Sequence, residues 1–218
     1  RGLEVAAFYR GAVADVDEVR QLSSLPETAA ELKAMADYLG ADEDSIYLRG
    51  RATETKVKSI RLNNSQVLAF STHGLISGQL KGLAEPALVL TPPDKGTEHD
   101  DGLLTASEVA QLKLDADWVI LSACNTAQGD KPGATGLSGL AKAFFYAGAR
   151  ALLVSHWPVQ SDAATALTTR MFQTIKQNPV IGRAEALRQS MMSMATNPQT
   201  AHPFFWAPFV VVGEGAFI

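Results

Sequence analysis

The sequence contains a single cysteine, Cys124, and this scarcity excludes an intrachain disulfide. A chain without disulfides fits a reducing compartment, so we expect a cytoplasmic protein. No uninterrupted apolar stretch reaches the roughly 18 residues that suggest a transmembrane helix, so we expect no membrane partner. Runs of lysine and arginine are also missing, and the net charge is −4 with a pI of about 5.6. This balance argues against a nucleic-acid partner.

Internal repeats, low-complexity tracts and linker-like stretches are absent from the sequence as well. At 218 residues, of which 46% are hydrophobic, the chain is long enough to bury a full core. We therefore interpret residues 1–218 as one domain. Because the chain begins with Arg1 rather than methionine, we expect it to be a piece of a longer protein.

Helical and strand patterns alternate along the chain, which is typical of an α/β fold with a mostly parallel sheet and helices on both faces. The densest apolar runs are those of strands buried on both faces. Strands are predicted at 67–72, 87–90, 117–123 and 149–156, with an edge or returning strand at 209–212.

Several helix boundaries carry local signals. Thr28 with Glu31, and Thr105 with Glu108, have the spacing of a capping box, in which two side chains satisfy backbone N–H groups at a helix start. Gly148 is predicted to end the helix that precedes the fourth strand. Ser161 or Asp162 is predicted to be the N-cap of a further helix, and a last long helix spans about 180–194.

Cys124 directly follows the third strand, and His73 follows the first strand about 50 residues earlier. Side chains at the carboxyl ends of neighbouring parallel strands meet where ligands bind. A thiol and an imidazole brought together there would form a nucleophile and its base. The order of histidine before cysteine, at this separation, is that of caspases rather than papain-like enzymes. The alternative is a cysteine that serves only as a small buried apolar side chain.

Five segments of the sequence resemble the CHAT domains, which are caspase- and separase-like cysteine peptidases of clan CD. They are FSTHGL (70–75), PALVLTP (86–92), DDGLLTASEVAQLKLDADWVILSACNTAQGD (100–130), GLSGLAKAFFYAGARALLVSHWPV (136–159) and HPFFWAPFVVVGEG (202–215). The resemblance extends over about residues 26–215 and implies a caspase-like fold. CHAT domains often occur in bacteria behind tetratricopeptide repeats, so the resemblance also implies an N-terminal repeat or another regulatory domain.

The resemblance implies a cysteine endopeptidase that hydrolyses a protein or peptide substrate through a His73–Cys124 dyad and an acyl-thioester. It also implies that the backbone N–H groups of Gly74 and Cys124 form an oxyanion hole. The alternative for Gly74 is a plain turn after a strand. Family members of this kind are held inactive, and we expect repeats or a partner to reorganise the loops at 92–102 and 126–136.

Substrate specificity is expected in the segment after the fourth strand. By resemblance to separases, Asp162 is a candidate to receive a basic P1 side chain, although it could instead stabilise the first turn of a helix. Trp157 could line the pocket or serve packing alone. Ser122, two residues before Cys124, is the third candidate substrate-binding residue.

Other classes of function remain open. The chain could be a catalytically silent CHAT-fold module that binds proteins, because a fold does not guarantee an activity. Gly133, Gly136 and Gly139 precede a helix as in nucleotide-binding loops, but they lack the register and the lysine of the known motifs. Cys124 and the four histidines show none of the usual zinc-ligand spacings, so we expect no metal and no cofactor.

Overall fold

The computed structural model describes residues 13–123 and 139–215, which form two sheets flanked by helices. The strands are β1 (Val67–Ser71), β2 (Gly74–Leu75), β3 (Ala87–Val89), β4 (Leu103–Thr105), β5 (Trp118–Ser122), β6 (Ala151–Ser155) and β7 (Phe209–Gly213). The α-helices are α1 (Val16–Arg20), α2 (Glu27–Leu39), α3 (Glu54–Ser59), α4 (Ala106–Val109), α5 (Gly139–Ala147), α6 (Ser161–Gln177) and α7 (Arg183–Ala195). Short 3-10 turns lie at Glu43–Ser45, Arg49–Arg51, Leu62–Asn64 and Pro203–Phe205.

The larger sheet has the strand order β1-β5-β6-β7. β1 runs parallel to β5, and β5 runs parallel to β6, so their carboxyl ends lie along the same edge. β7 pairs antiparallel with β6 and returns along the outer side of the sheet. This mostly parallel sheet, with β7 at its edge, confirms the fold class that the alternating sequence pattern predicts.

Both faces of this sheet are covered, which explains the unbroken apolar character of its central strands. Val119 and Leu121 of β5 pack on one face with Phe144 of α5. Trp118 and Ile120 point to the other face, where helices α2, α6 and α7 contribute their apolar side chains. Since side chains alternate along a strand, each central strand supplies two cores at once.

The smaller sheet has the order β2-β3-β4 and is antiparallel throughout. The sequence pattern predicted only its middle strand, because β2 and β4 have two and three residues and show no periodicity. Leu88 and Leu104 of this sheet join the same apolar core as β5 and α5. The smaller sheet therefore packs on the larger one, and β2 continues from the end of β1 through His73.

Two of the predicted helix starts are corrected by the structure. Helix α2 begins at Glu27 after Pro26, with no side-chain cap, and the Thr28 hydroxyl donates to the Leu25 carbonyl. Glu31 is buried and directed away from the helix start, so the predicted Thr28–Glu31 capping box is wrong. The second box, Thr105 with Glu108, is present at the start of α4.

Helix α6 also starts differently from the prediction. Its N-cap is Gln160, which makes no side-chain cap, while Ser161 and Asp162 are the first two residues of the helix. An acidic side chain in the first turn still interacts favourably with the helix dipole. The predicted helix end at Gly148 is confirmed, because α5 ends at Ala147 and Gly148 follows with a φ of +114°.

Candidate active site

The carboxyl ends of β1 and β5 lie side by side. The parallel register runs from Val67 opposite Trp118 to Ser71 opposite Ser122. His73 lies two residues beyond Ser71, just as Cys124 lies two residues beyond Ser122 in the sequence. Cys124 itself falls outside the described residues, and Ala123 is the last residue described before it.

The His73 ring is half-buried and held by the loop before α2. Its Nε2 lies 2.7 Å from the backbone oxygen of Ser23. A carbonyl oxygen only accepts, so Nε2 is the donor, and in the neutral ring Nδ1 is left as the proton acceptor. A main-chain carbonyl therefore sets the orientation and the tautomer of His73. No candidate for this role could be predicted from the sequence, because the orienting group belongs to the backbone and does not depend on residue type.

Gly74 is buried at the start of β2, directly after His73. It pairs with Leu88, and the neighbouring Val89 N–H donates to the His73 carbonyl at 2.9 Å. This pattern makes Gly74 and Leu88 a non-hydrogen-bonded pair, in which each residue's own N–H points away from the opposite strand. Since β2 is an outer strand of its sheet, the Gly74 N–H points toward the side that holds no strand of that sheet.

A cavity of about 100 Å³ lies at these strand ends. His73 lines it together with Ser122 and Ala123 from the end of β5, and Ser155 from the end of β6. Ser161, in the first turn of α6, lines it from another side. His73 and the residue preceding Cys124 therefore lie in the wall of one cavity.

Glu31 of α2 also lines this cavity, although its side chain is only 1% exposed. The Thr168 hydroxyl of α6 donates to Glu31 Oε1 at 2.6 Å. Burial raises the pKa of the Glu31 carboxyl, and the hydroxyls of Thr168, Ser122 and Ser71 act in the opposite direction. The sequence prediction missed this residue as a site residue, because its position in the helix start suggested a cap. Its burial could not be read from local spacing.

Of the other candidate substrate-binding residues, only Ser122 lines the cavity. Asp162 is exposed in the first turn of α6 and is not among the lining residues. The Trp157 indole N–H donates to the Phe204 carbonyl at 3.1 Å, which directs its ring toward the Pro203–Phe205 turn. The structure therefore brings His73, Gly74 and Ser122 to the strand ends and leaves Asp162 and Trp157 outside the cavity wall.

A wider groove of about 900 Å³ runs along β1 on the side away from β5. Its charged lining residues are all basic: Arg20, Arg49, Arg51, Lys56 and Arg61. The groove follows the length of β1 and reaches His73 at its end. It is not centred on the carboxyl ends of β5 and β6, so the smaller cavity is the better candidate for the reaction site.

The part of the chain that the structure describes was searched for metal-ligand groups and for membrane-spanning helices. Within residues 13–123 and 139–215, no three His, Cys, Asp or Glu side chains are grouped so as to hold a metal ion. No helix in those ranges is both long and apolar enough to cross a bilayer. Gly133 and Gly136, considered for nucleotide binding, lie outside the described residues.

Comparison with known protein families identifies the family to which the chain belongs. The sequence model of the CHAT domain matches residues 9–214, nearly the whole chain. The chain belongs to the CHAT domain family. This confirms the resemblance noted in the sequence, and the matched span includes both His73 and Cys124.

Two relatives of this CHAT domain are tetratricopeptide repeat proteins. Tetratricopeptide repeat protein 28 of Mus musculus is 34% identical over 224 residues, which covers 87% of this chain and 9% of that protein. The Homo sapiens protein of the same name is 34% identical over 112 residues, covering 51% of this chain and 4% of that protein. The chain thus spans a small part of each relative.

Among solved structures, the CHAT domain is similar to the Arg-specific cysteine proteinase gingipain R. The TM-score is 0.55 at 12% sequence identity, and the match covers 87% of this chain and 42% of that one. At this identity the similarity concerns the fold alone. It shows that this chain shares the fold of that proteinase.

Proposed function

We propose that this CHAT domain is a cysteine endopeptidase in which Cys124 attacks the substrate and His73 serves as its base. The observation that carries the proposal is that His73 and Ala123, the residue before Cys124, line one cavity at the strand ends. The family and the caspase-like fold support it. A protein or peptide is the substrate, and no cofactor takes part.

The proposed reaction begins with proton transfer from the Cys124 thiol to Nδ1 of His73. A thiol with a pKa near 8.5 is only a few per cent ionised at neutral pH, so a neighbouring base raises the thiolate fraction. The sulfur then attacks the scissile carbonyl carbon, and a tetrahedral intermediate forms. The C–N bond breaks as His73 returns the proton to the leaving amine, which leaves an acyl-thioester on Cys124.

Water completes the reaction. His73 removes a proton from the water as its oxygen attacks the thioester carbon, and the C–S bond breaks to release the acid and restore the thiol. In both halves the carbonyl oxygen gains negative charge. The Gly74 N–H, which points away from β3, supports our assignment of Gly74 and the Cys124 N–H as its hydrogen-bond donors.

The proposal includes a basic P1 preference and a regulatory domain. The tetratricopeptide repeats named in the two relatives support an association of this domain with such repeats. We propose that the adjoining repeats control access to the cavity. Labelling of Cys124 should then differ in rate between this chain alone and the same chain joined to its repeats, and equal rates would contradict this regulation.

The peptidase proposal is tested by labelling with a peptide acyloxymethyl ketone, read out by mass spectrometry. Because Cys124 is the only cysteine, a single adduct reports on one sulfur. We expect labelling to be lost in Cys124→Ala and to slow by about 100-fold or more in His73→Ala, in line with loss of a general base. His156→Ala, at an exposed position after β6, is the matched control and should react like the wild type.

One outcome favours the silent interaction module instead. If the wild-type chain and His73→Ala react at the same rate, with and without the repeats, the imidazole does not activate the thiol. The fold would then be retained without the chemistry, and the cavity would serve binding alone.

A further inference from the structure

The face of the larger sheet that α2 and α6 cover changes from apolar to polar at its carboxyl edge. Every second side chain of a strand points to this face. The first two such side chains of each parallel strand join one apolar core: Val67, Ala69, Trp118, Ile120, Ala151 and Leu153. The third is a serine in all three strands, and we call Ser71, Ser122 and Ser155 the serine row.

The members of the serine row are neighbours across the sheet. Ser71 of β1 is the register partner of Ser122 of β5. Ser155 of β6 lies two residues beyond Leu153, which is the partner of Ile120, so it stands next to Ser122. The row therefore forms a polar layer across the strand ends, directly before the positions that carry the proposed chemistry.

Two buried polar side chains from the covering helices meet the serine row. Glu31 of α2 is 1% exposed, and Thr168 of α6 is fully buried. The Thr168 hydroxyl donates to Glu31 Oε1 at 2.6 Å. Burial raises the pKa of the Glu31 carboxyl, while the hydroxyls of Thr168, Ser122 and Ser71 lie close enough to lower it. One carboxyl thus interacts with side chains from β1, β5 and α6.

The serine row is next to His73 in two ways. Ser71 lies two residues before His73, so the end of β1 carries both side chains. The Ser23 carbonyl, in the loop that leads into α2, accepts from Nε2 of His73 at 2.7 Å. The position of α2 relative to the strand ends therefore determines where the imidazole ring lies, through the strand and through the Ser23 carbonyl.

A buried carboxyl is a costly way to fill this space. Burying it without a cation is unfavourable, and no lysine or arginine lines the cavity that Glu31 shares with His73. Apolar contacts are non-directional, whereas a buried hydrogen-bonded network fixes one arrangement of the groups it joins. Among the described residues no group forms a standard hydrogen bond with the buried Ser71 oxygen, so the nearby carboxyl offsets its desolvation.

We propose that Glu31 is a positioning residue: by interacting with the serine row and Thr168 it fixes α2 on the strand ends and so holds His73 against the end of β5. This inference rests on the proposed peptidase function and names a residue that supports the same site. Glu31 itself does not touch the substrate. It acts through Ser71 and through the loop at Ser23, and a misplacement of the reacting groups by about 1 Å can slow a reaction by about 100-fold.

The first test observes the His73 ring without any reaction. NMR of protein with isotope-labelled histidine shows which ring nitrogen carries the proton, and the His73 signals are those lost in His73→Ala. At about pH 8, where an ordinary imidazole is neutral, we expect only the Nε2–H tautomer in the wild type, because of the Ser23 carbonyl. Glu31→Met keeps the size of the side chain without its oxygens and should give a mixture of both tautomers.

The second test measures the rate at which a peptide acyloxymethyl ketone labels Cys124. We expect Glu31→Met to slow labelling by about 10- to 100-fold, as for displaced reacting groups. Glu31→Gln keeps both the size and the hydrogen bonding, so it should retain the single tautomer and a rate close to that of the wild type. If Glu31→Met does not fold, Ser71→Ala tests the same interaction and should slow labelling by about 3- to 10-fold, as for one neutral hydrogen bond.

Met35→Ala is the matched control for the loss of packing. Met35 lies one turn beyond Glu31 on α2, is 2% exposed and belongs to the apolar core on the same face. This substitution should lower the stability of the protein, because it leaves a cavity. It should leave the His73 tautomer and the labelling rate unchanged.

Four results would overturn the inference. They are a mixture of tautomers in the wild type, an unchanged tautomer and rate in Glu31→Met, an equal loss in Glu31→Gln, and an equal loss in Met35→Ala. Failure of the peptidase function gives a different result, since wild-type Cys124 would then not be labelled at all. The tautomer of His73 in Glu31→Met would still decide whether Glu31 positions the ring.

Discussion

At the scale of single residues, Gly148 lies where the end of α5 closely approaches the chain at Leu114. Its φ is +114°, and a Cβ built on it would lie 2.3 Å from the Leu114 carbonyl oxygen. The Leu114 N–H in turn donates to the Ala147 carbonyl at 2.8 Å, so the two chain segments are fixed against each other. Any side chain at this position would force them apart.

We expect Gly148→Ala to lower the free energy of unfolding by about 3 kcal/mol or more, because it combines backbone strain with a backbone clash. Gly40→Ala is the matched control: Gly40 also has a positive φ, of +66°, but nothing lies within 4 Å of an added Cβ. Its cost should be about 1 kcal/mol. Urea denaturation of both variants measures the difference in the free energy of unfolding. Equal losses would show that the backbone at Leu114 moves away from the added Cβ at no cost in stability.

At the scale of elements, a small ionic network joins helix α3 to helix α4 and to the loop before β4. Lys58 Nζ donates to Glu54, to Glu108 Oε1 at 2.8 Å and to the His99 carbonyl at 2.9 Å. The Glu54 and Glu108 side chains are 1% and 8% exposed. Glu54 Oε2 also accepts from the Asp101 N–H at 2.9 Å, so the network holds the loop that leads into β4.

This network makes stability depend on pH. Burial raises the pKa of Glu54 from 4.5 to about 7, while Lys58 lowers it. A carboxyl whose pKa is raised by folding adds stability below its unfolded pKa, and that contribution is lost as the pH rises through 7. Removing Lys58 would raise the pKa of Glu54 further, because the cation that favours the ionised form is gone.

We therefore expect Lys58→Met to destabilise the protein more at pH 8 than at pH 5, with a cost at pH 8 of about 3–5 kcal/mol, as for a broken buried ion pair. Urea denaturation at both pH values measures this. The exposed Lys113→Met is the control and should change stability by no more than about 0.5 kcal/mol at either pH. A cost for Lys58→Met that is independent of pH would contradict the role of Glu54.

The strands differ in how well they could be predicted from the sequence. β5 and β6 were predicted within one or two residues of their bounds, because strands buried on both faces are almost wholly apolar. β2 and β4 were not, since their pairing with β3 depends on contacts distant in sequence. The Thr28–Glu31 spacing misled for a related reason. A local pattern cannot show that the Glu31 side chain is drawn toward Thr168, 137 residues away along the chain.

At the scale of the whole molecule, the site is a product of topology. The parallel pairing of β1 with β5 places His73 at the cavity shared with Ala123, and the strand pattern was enough to predict this edge. The closing side of the cavity comes from α2 and α6, whose packing no motif records. The strand-end position of His73 can therefore be predicted from the sequence, whereas the place of Glu31 in the cavity wall becomes visible only when the helices are placed on the sheet.

The two sheets also share a core, which bears on how the molecule unfolds. Leu104 of the smaller sheet is fully buried in the cluster that contains Val119 of β5 and Leu152 of β6. The strands of the smaller sheet have only two or three residues each, well below the usual length, so the sheet depends on such contacts with the larger one. We infer that the described part of the chain unfolds as one cooperative structure.

Leu104→Ala should therefore lower the free energy of unfolding of the whole domain by about 2–5 kcal/mol, because it leaves a cavity in the shared core. Leu153→Ala, in the core on the opposite face, should act on the same transition. Near-ultraviolet circular dichroism and tryptophan fluorescence in urea should give coincident midpoints in both variants. If hydrogen exchange in Leu104→Ala showed residues 74–105 opening at lower urea than β5 and β6, the smaller sheet would be a separate unit that opens without unfolding the rest.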